Sequence, residues 1–493
     1  MNYLFNSYTT INTYFGKVKG LNNKYKNGNL FIFYQIPYAV PPIKSLRWKK
    51  TLKWNSKYKG IYDATKYNNV SHQHEYYYYN YYNNFSNKYL IKKNKYVQSE
   101  DCLYLDIYTP TIERNKYPVI VCIHGGHYQY GYSRNMRINK EFAVDNNIIY
   151  ITINYRLGIF GFFQHNELKN EKNHGNFGIY DIITALKWIK NNIFYYGGDP
   201  DNITLEGQGS GANLIALLMC IDECIDDNLF HKAILHSLSC LYKLKDMSKE
   251  SSEIADFLVG QGNNQLQRLR NISEYKINNY YNSIHDFSKL FIPNIDNYII
   301  FHNILDVFKK GLQMKIPLII GYNSNDCNIL YDLGFCENIP YPINNKKYNK
   351  SDISDLNKIY ININKKNIYS LKRYYNDYFF TYINKKIAEY HIIYAKTYIY
   401  VLKFINVRDS DIECCFELDL MYFYNNNNSY NIYIDDELKQ KILQYIQLFI
   451  KNKNPWNEFK NDLAMFFNKE TYMNFFYDKQ SLNIINKNFD III

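Results

Sequence analysis

Five consecutive residues, Gly207-Gln208-Gly209-Ser210-Gly211, have the composition of a sharp turn between a strand and a helix. In a Gly-x-Ser-x-Gly turn the central serine is exposed as a nucleophile, because its small neighbours permit the strained backbone. The central residue here is Gly209, which has no side chain and cannot form a covalent intermediate with a substrate. The expected nucleophile position is therefore occupied by a residue that cannot act as one.

Two other side chains could supply a nucleophile. Ser210 lies one residue late, and a turn displaced by one residue would place the bulky Gln208 beside it, so the undisplaced register is favoured. In that register Ser210 contributes only its backbone N–H. Cys414 is the other candidate, with His127 or His236 as its base, since cysteine and histidine form nucleophilic pairs on other folds. Both alternatives remain open at the level of sequence.

The segments around this turn alternate between predicted strands and predicted helices. Short apolar runs rich in β-branched residues predict buried strands at 119–123, 148–153, 203–205, 232–236 and 316–320. Apolar positions at helical spacing predict helices at 180–193, 214–220, 384–398 and 437–451. This alternation indicates an α/β fold with a large, mostly parallel central sheet and helices on both faces.

The N-terminal segment predicts an antiparallel edge to this sheet. Residues 1–25 alternate apolar and polar positions around Gly16 and Gly20, and residues 31–38 continue the pattern, as small hairpin strands do. Two low-complexity segments, near 76–95 and 425–430, are predicted to be surface loops. Neither resembles a linker between domains, so we expect residues 1–493 to form a single domain.

Composition excludes several classes of function. The 493 residues are 46% hydrophobic and have a formal net charge of +12, with lysines scattered along the chain. Because they form no basic stripe or tail, no nucleic-acid partner is expected. We expect no membrane span and no secretory signal, because the sequence shows neither a long apolar run nor a basic and apolar N-terminus. The nine cysteines lack metal-ligand spacing, so we expect no metal, no cofactor and an intracellular location.

Six segments of the chain resemble the type-B carboxylesterase and cholinesterase family of α/β-hydrolases, and they occur in the order that the family has. The segments are Ile36-Pro37-Tyr38-Ala39 with Leu46-Arg47-Trp48, Ser99-Glu100-Asp101-Cys102-Leu103, Ile123-His124-Gly125-Gly126, Asn154-Tyr155-Arg156-Leu157-Gly158, Gly175-Asn176-Phe177-Gly178 and residues 194–212. The resemblance implies the α/β-hydrolase fold. It also identifies the chain as a member of that family whose catalytic positions have changed.

The resemblance implies a set of buried scaffold residues. Two ion pairs are expected, one between Arg47 and Glu100 and one between Arg156 and Asp181. The family's aromatic core positions correspond to Trp48, Trp54, Trp188 and Trp456. The family's first disulfide is not expected, because Ser71 stands where the cysteine partner of Cys102 should be.

An oxyanion hole is also implied by the resemblance. The family forms it from backbone amides after a His-Gly-Gly-Gly turn, together with the amide that follows the nucleophile. The matching residues are Gly125, Gly126 and His127, with the N–H of Ser210. An imidazole at position 127 would occupy or cover this hole. We expect His127 to plug the site, and the alternative is a role as a replacement base or ligand contact.

The family's catalytic triad falls on residues that cannot work as one. The acid position is Asp326, in the turn that begins at Gly321, and it is chemically competent. The base, a histidine three residues before a Glu-Leu pair in the family, corresponds to Cys414. A thiol cannot take and return a proton at neutral pH as an imidazole does. With Gly209 at the nucleophile position, two of the three roles are vacant.

The leading hypothesis is a family member that has lost serine-esterase catalysis and acts by binding or as a scaffold. Its partner would be another protein or a small apolar molecule or ester. The alternative is an active carboxylic-ester hydrolase that uses Ser210 or Cys414 as a displaced nucleophile. Family homodimers pack through two late helices, so the predicted helices 384–398 and 437–451 are candidates for a homodimer interface.

Overall fold

The computed structural model describes most of the chain, which divides into two compact units. The described residues are 7–67, 69–75, 96–135, 138–173, 175–239, 244–286, 289–328, 354, 356, 358–360, 367–403, 435–460, 462–468 and 471–475. The first unit takes in residues 1–233 and 244–307, and the second takes in 234–243 and 308–493. The two predicted loops near 76–95 and 425–430 lie outside the described residues. The assignment of a single domain stays a prediction.

The first unit begins with a series of strands and continues with alternating strands and helices. Its strands are β1 Ser7–Thr13, β2 Gly16–Tyr25, β3 Gly28–Pro37, β4 Ile61–Asp63, β5 Asn69–Val70, β6 Val97–Gln98, β7 Tyr104–Thr109, β8 Tyr117–Ile123, β9 Ile149–Ile153 and β10 Gly198–Gln208. Its helices are α1 Lys140–Asn146, α2 Gly158–Phe162, α3 Phe177–Asn192, α4 Ser210–Leu218, α5 Asp222–Asp226, α6 Ser248–Val259, α7 Gln265–Asn271 and α8 Glu274–Asn282, with short 3-10 turns at Lys44–Leu46, Ser133–Asn135, Asn166–Glu171 and Ile193–Tyr196.

Two elements run from the first unit into the second, namely β11 Lys232–His236 and α9 Ile304–Lys309. The remaining elements belong to the second unit. They are β12 Leu318–Asn323, α10 Ile368–Asn376, a π-helical turn Asp377–Thr381, α11 Tyr382–His391, β13 Thr397–Leu402, α12 Asp436–Ile450, β14 Leu463–Phe467 and β15 Tyr472–Phe475.

The sheet of the first unit has the order β1-β2-β3-β7-β9-β8-β10, with β4 beside β2. Strand β8 pairs in parallel with both β9 and β10, so that Val119 lies opposite Ile149 and Ile203. All five residues of β9 are buried, which explains its nearly continuous apolar sequence. The strands β1, β2, β3 and β7 pair antiparallel, as the N-terminal alternation predicts.

The second unit continues the same pattern in the order β11-β12-β13-β14-β15. Strands β12, β13 and β14 pair in parallel, and β15 adds an antiparallel edge. Every residue of β12 and β13 is buried. The predicted α/β fold, with parallel central strands and an antiparallel N-terminal part, is confirmed.

One predicted helix is wrong over its second half. The sequence predicts a helix over 384–398, but α11 ends at His391 and Thr397–Leu402 is strand β13. The sequence Thr-Tyr-Ile-Tyr-Val-Leu is β-branched and aromatic, and it fits the buried position between two parallel strands better than a helix. The Nε2 atom of His391 hydrogen-bonds to the carbonyl of Ile316 at 2.8 Å, at the end of the helix. The helix predicted over 437–451 is confirmed as α12.

Both expected ion pairs are present in the first unit and both are buried. Arg47 donates two hydrogen bonds of 2.6 and 2.7 Å to the carboxylate of Glu100. It also donates to the carbonyls of Leu269 and Ile272. Arg156 makes the same two-pronged contact with Asp181, at 2.8 Å for each bond. These two arginines hold separate stretches of chain together within the unit.

The tryptophan assignments are confirmed at three positions and wrong at one. The side chains of Trp48, Trp188 and Trp456 are buried, and Trp48 stacks on Phe163 with ring centroids 4.6 Å apart. Trp54 is only half-buried, because its indole N–H bonds to the nearby carbonyl of Ser56 at the surface. Trp54 therefore does not belong to the core.

Replacing Glu100 by glutamine should destabilise the fold strongly. The E100Q variant leaves the buried Arg47 charge without its counter-ion, which costs about 3–5 kcal/mol in buried pairs. The matched control is E223Q, which breaks a surface pair between Lys187 and Glu223 whose side chains are 39% and 46% exposed. That change should cost about 0–1 kcal/mol. Urea unfolding of the three proteins measures both values, and equal losses would contradict the assignment.

Candidate functional site

The candidate site is built around a turn between β10 and α4. Strand β10 ends at Gln208, helix α4 begins at Ser210, and Gly209 between them has φ 56° and ψ −120°. This region of backbone conformation is nearly closed to residues with a side chain. The carbonyl of Gly209 accepts the N–H of Asn213 at 3.0 Å and so starts the helix. Gly209 therefore occupies the strained centre of a strand-turn-helix elbow.

Steric contacts on either side fix this register. A Cβ atom on Gly207 would lie 2.7 Å from the backbone carbon of Gly211, and a Cβ on Gly211 would lie 2.2 Å from the carbonyl oxygen of Ile123. Real Cβ atoms do not approach backbone so closely, so both positions require glycine. The two required glycines stand two residues before and two residues after Gly209.

Ser210 has a structural place in this arrangement. It is the first residue of α4, it is 3% exposed, and its Oγ accepts the backbone N–H of Tyr128 at 3.4 Å. The hydroxyl thus faces the loop after β8 from within the helix. A displaced elbow would instead need Ser210 in the strained turn conformation that Gly209 has. The geometry therefore favours the undisplaced register.

The loop after β8 approaches the elbow at its two glycines. A Cβ on Gly125 would lie 2.5 Å from the carbonyl oxygen of Gln208, and one on Gly126 would lie 2.0 Å from the carbonyl oxygen of Tyr130. Gly126 has φ +109°, and its carbonyl accepts the N–H groups of Gln129 and Tyr130. The contact with Gln208 brings the predicted oxyanion residues beside the elbow.

His127 is the unusual residue of this loop. Its backbone has φ 56°, in the left-handed region that favours glycine, and its side chain is 5% exposed. Burial lowers the pKa of His127 to about 3, so its imidazole is neutral at neutral pH. The ring centroid lies 5.9 Å from that of Tyr130.

His124 anchors the start of the same loop. Its ring stacks on Tyr155 with centroids 4.4 Å apart, and its Nδ1 lies 2.8 Å from the carbonyl of Gly125. The hydroxyl of Tyr155 donates to the carbonyl of His124 at 2.8 Å. Burial lowers the pKa of His124 to about 4. His124 is therefore a neutral support for the loop.

The acid position lies in the second unit, in the turn after β12. Asp326 is fully buried, and its two carboxylate oxygens accept the backbone N–H and the side-chain amide of Asn323 at 3.0 and 2.9 Å. The turn begins at Gly321, where a Cβ would lie 2.3 Å from the ring of Tyr400. The structure thus explains the glycine and gives the carboxylate a structural role within its own turn.

Of the residues predicted for a cysteine nucleophile and its base, the structure describes the histidines but not Cys414. His236, also in the second unit, is fully buried, and its Nδ1 lies 2.7 Å from the hydroxyl of Tyr400. Cys414 lies outside the described residues, so its assignment as the base position stays a prediction.

The structure therefore brings the elbow and the oxyanion loop together inside the first unit. The residues that meet there are Gly125, Gly126, His127, Gly209 and Ser210. Sequence reasoning missed two supports of this arrangement, the backbone of Tyr128, with φ 63°, and the ring of Tyr155. The only available signal was the position of Tyr155 in the Asn154-Tyr155-Arg156 segment.

Among the described residues, no group of three or more His, Cys, Asp or Glu side chains could hold a metal ion. No helix in the described part of the chain is long and apolar enough to cross a membrane.

A search of family models identifies the chain over almost its full length. The model described as Carboxylesterase family matches residues 7–490. The chain belongs to the carboxylesterase family. The predicted resemblance is thus confirmed.

Curated relatives support the same membership. The chain is 31% identical to carboxylesterase 5A of Mus musculus over 312 residues, which is 61% of this chain and 51% of that protein. It is 31% identical to para-nitrobenzyl esterase of Bacillus subtilis (strain 168) over 318 residues, which is 63% of this chain and 61% of that protein. It is 29% identical to acetylcholinesterase of Leptinotarsa decemlineata, over 65% of this chain and 55% of that protein. The matched region thus spans between half and two thirds of these relatives.

Solved structures confirm the α/β-hydrolase fold. A structure of PNB esterase superposes with a TM-score of 0.77 at 23% identity and covers 97% of this chain and 99% of its own. A structure of Aspergillus niger EstA gives a TM-score of 0.78 at 20% identity, with 98% of each chain covered. At these identities the likeness shows the fold of this carboxylesterase-family chain.

The steric requirement at the elbow predicts a large loss of stability in G211A. The added Cβ would overlap the Ile123 carbonyl, and relief requires backbone movement, so the change should cost more than about 2 kcal/mol. The control is G60A, at an exposed glycine with φ +78°, where no atom lies within 4 Å of the place that a Cβ would take. It should cost about 1 kcal/mol through backbone conformation alone. Thermal or urea unfolding compares the two, and a smaller loss in G211A would contradict the close contact.

The burial of His127 predicts a pH dependence of stability. Its pKa is about 3 in the folded chain against an ordinary value of 6.5. Below the ordinary value the unfolded chain binds a proton that the folded chain does not, so the free energy of unfolding falls as the pH falls. Between about pH 7 and about pH 5 this group should remove about 2 kcal/mol.

The H127Q variant isolates this effect, because it keeps a neutral polar side chain that does not titrate. Urea unfolding at several pH values should give a smaller loss in H127Q than in the parent chain between pH 7 and 5, and parallel curves above pH 7. Identical curves over the acidic range would show that His127 titrates normally in the folded protein.

Proposed function

We propose that this chain is a non-catalytic member of the carboxylesterase family that acts by binding or as a scaffold. The observation that carries the proposal is Gly209 at the centre of the elbow, between two glycines that fix the register. No hydroxyl is present at the point where the family's serine mechanism begins.

The chemical consequence follows from the triad mechanism. The serine oxygen attacks the carbonyl carbon and becomes the covalent link of an acyl-enzyme, so a glycine at that position removes the first bond of the reaction. Losing the nucleophile of such a triad costs about 10⁶ in kcat. The rate that can remain, about 10³ to 10⁴ over water, depends on the oxyanion hole and on substrate binding.

The neighbouring positions support the same proposal. Gln208 stands where the family usually has an acidic residue beside its serine, and His127 brings a buried imidazole into the oxyanion loop. Cys414 at the base position could not return a proton to a leaving group as histidine does. Each change reduces a separate part of the esterase mechanism.

Candidates for what is bound are a small apolar molecule or ester at this site and a protein partner elsewhere. A homodimer through α12 belongs to the same proposal. Apart from Lys439, the buried positions of α12 are apolar, while its exposed positions are polar. Those exposed positions are Asp436, Glu437, Gln440, Lys441 and Gln444. A dimer through this helix would therefore have a polar, salt-sensitive interface.

The proposal predicts no esterase turnover above buffer with short-chain p-nitrophenyl esters. It also predicts no fluorophosphonate adduct on Ser210 and no iodoacetamide-sensitive activity from Cys414, both mapped by mass spectrometry. Parent protein, S210A and C414A should be indistinguishable. Turnover that disappears in S210A or in C414A would overturn the proposal and identify the displaced nucleophile.

A gain-of-function variant provides the positive control. G209S alone should stay inactive toward the ester, because the base position is still cysteine. Labelling and turnover of G209S combined with C414H test whether the remaining acid and amides can support chemistry. Activity of the double variant with an inactive parent would locate the loss of function at these two positions.

A further inference from the structure

The elbow that cannot attack an ester has the features of an anion receptor. The first N–H groups of an α-helix have no intrahelical acceptor, and the helix dipole places partial positive charge there. In α4, which has nine residues, Gly209 supplies no side-chain cap for these groups. Where a serine would project its CH₂OH group, Gly209 projects only hydrogen.

A second, independent observation comes from Gln208. Its side chain is 2% exposed, and its Nε2 is buried without a hydrogen-bond partner among the described residues. Its Oε1 lies 3.1 Å from the place that a Cβ on Gly125 would take, so the carboxamide lies against the oxyanion loop beside the elbow. A buried donor without an acceptor is costly, and an anion at the elbow would supply the acceptor.

The charges around the elbow select the class of ligand. Gln208 is neutral and carries an N–H donor without an acceptor in the described part of the chain, so the residue beside Gly209 does not repel an anion. His124 and His127, whose pKa values burial lowers to about 4 and about 3, are neutral at neutral pH and neither attract nor repel the anion through a net charge. Glu206 precedes Gln208 by two residues on the same face of β10. It lies about 7 Å away at the usual strand rise, and its carboxylate lowers the affinity of the site for an anion.

We propose that this chain binds a carboxylate anion non-covalently at the N-terminus of α4, beside Gly209 and the side chain of Gln208. One carboxylate oxygen accepts from the first backbone amides of α4, which lack a side-chain cap at Gly209. The other occupies the place of a serine hydroxyl and accepts from Gln208 Nε2. No bond is made or broken, so the inference deepens the proposed binding function and rests on it.

A carboxylate suits this geometry better than an intact ester does. An ester places an alkoxy group where the second oxygen of a carboxylate would be, and that group cannot accept a charge-assisted hydrogen bond of the same strength. Binding without turnover is the behaviour expected of such a receptor. The ligand class is therefore the product of ester hydrolysis rather than its substrate.

Saturation-transfer NMR of butyrate against the purified full chain tests the proposal, with butyramide and methyl butyrate as neutral analogues of the same shape. Butyrate should bind saturably in the millimolar range, and each neutral analogue should bind at least about tenfold more weakly. In Q208E the affinity for butyrate should fall more than about tenfold, since the new carboxylate repels the ligand at contact distance. Q208M has a side chain of similar size without the N–H donor, and its affinity for butyrate should lie between those of the parent chain and Q208E.

If the buried charge of Q208E prevents folding, the G209S variant provides a second test of the site. The serine side chain refills the space with the residue that the family has there, and butyrate binding should be lost while the melting temperature shows a folded chain. Equal binding of butyrate and butyramide, unchanged affinity in Q208E and G209S, or no saturation up to about 100 mM butyrate would each overturn the inference.

Turnover of p-nitrophenyl butyrate is measured on the same samples. Turnover by the parent protein would overturn the proposed function. A lack of both turnover and butyrate binding would overturn only the carboxylate site.

Discussion

The arrangement of the candidate site depends on the close contact between the end of β8 and the first turn of α4. The helix approaches the Ile123 carbonyl so closely that position 211 has no room for a Cβ atom, and position 207 has none because of Gly211. This contact sets where α4 begins and leaves Gly209 alone in the turn. It also places the loop after β8 against the elbow through Gly125. The oxyanion loop, the elbow and the parallel pairing of β8 with β10 are thus parts of one packed unit.

The physical reason for glycine at position 209 differs from the reason at positions 207 and 211. At Gly207 and Gly211 the surrounding backbone excludes any side chain. At Gly209 the backbone conformation, with φ 56° and ψ −120°, itself disfavours one. A serine at such an elbow is held in strain of order 1–3 kcal/mol, which an active enzyme maintains because it exposes the nucleophile. Glycine relieves that strain and retains the turn. Glycine at this position therefore favours the stability of the scaffold.

The sequence predicted the architecture well where local patterns and tertiary packing agree. The buried strands β8 and β9, the helix α12 and the ion pair of Arg47 with Glu100 were all expected from periodicity or from family segments. The prediction failed where packing overrode the pattern. Residues 397–402 come a short turn after α11 and have apolar spacing compatible with either structure. Only their burial between two parallel strands determines that they form β13. The half-exposed position of Trp54 was equally invisible, because a tryptophan's sequence neighbours do not reveal its depth.

At the site itself the residue types were predictable and their surroundings were not. The vacancy at Gly209 and the odd imidazole at His127 follow from the motif alone. Their surroundings follow only from the three-dimensional structure, because they involve atoms distant in sequence. Examples are the steric requirement for Gly211, the support of His124 by Tyr155 and the Gln208 donor without an acceptor. A one-dimensional motif records which residue is present, and it does not record how much space is left around it.

The hydrogen bonds of Arg47 determine when the first unit can be finished during synthesis on the ribosome. Its guanidinium is neutralised by Glu100, 53 residues later, but its other donors are satisfied by the carbonyls of Leu269 and Ile272, 222 and 225 residues away. More than half of the chain must therefore leave the ribosome before the Arg47 guanidinium can make all of these hydrogen bonds. Contacts of such long range make folding slow and leave sheet edges exposed in the meantime. We therefore expect the nascent first unit to stay incomplete, and open to aggregation at its sheet edges, until residue 272 has left the ribosome.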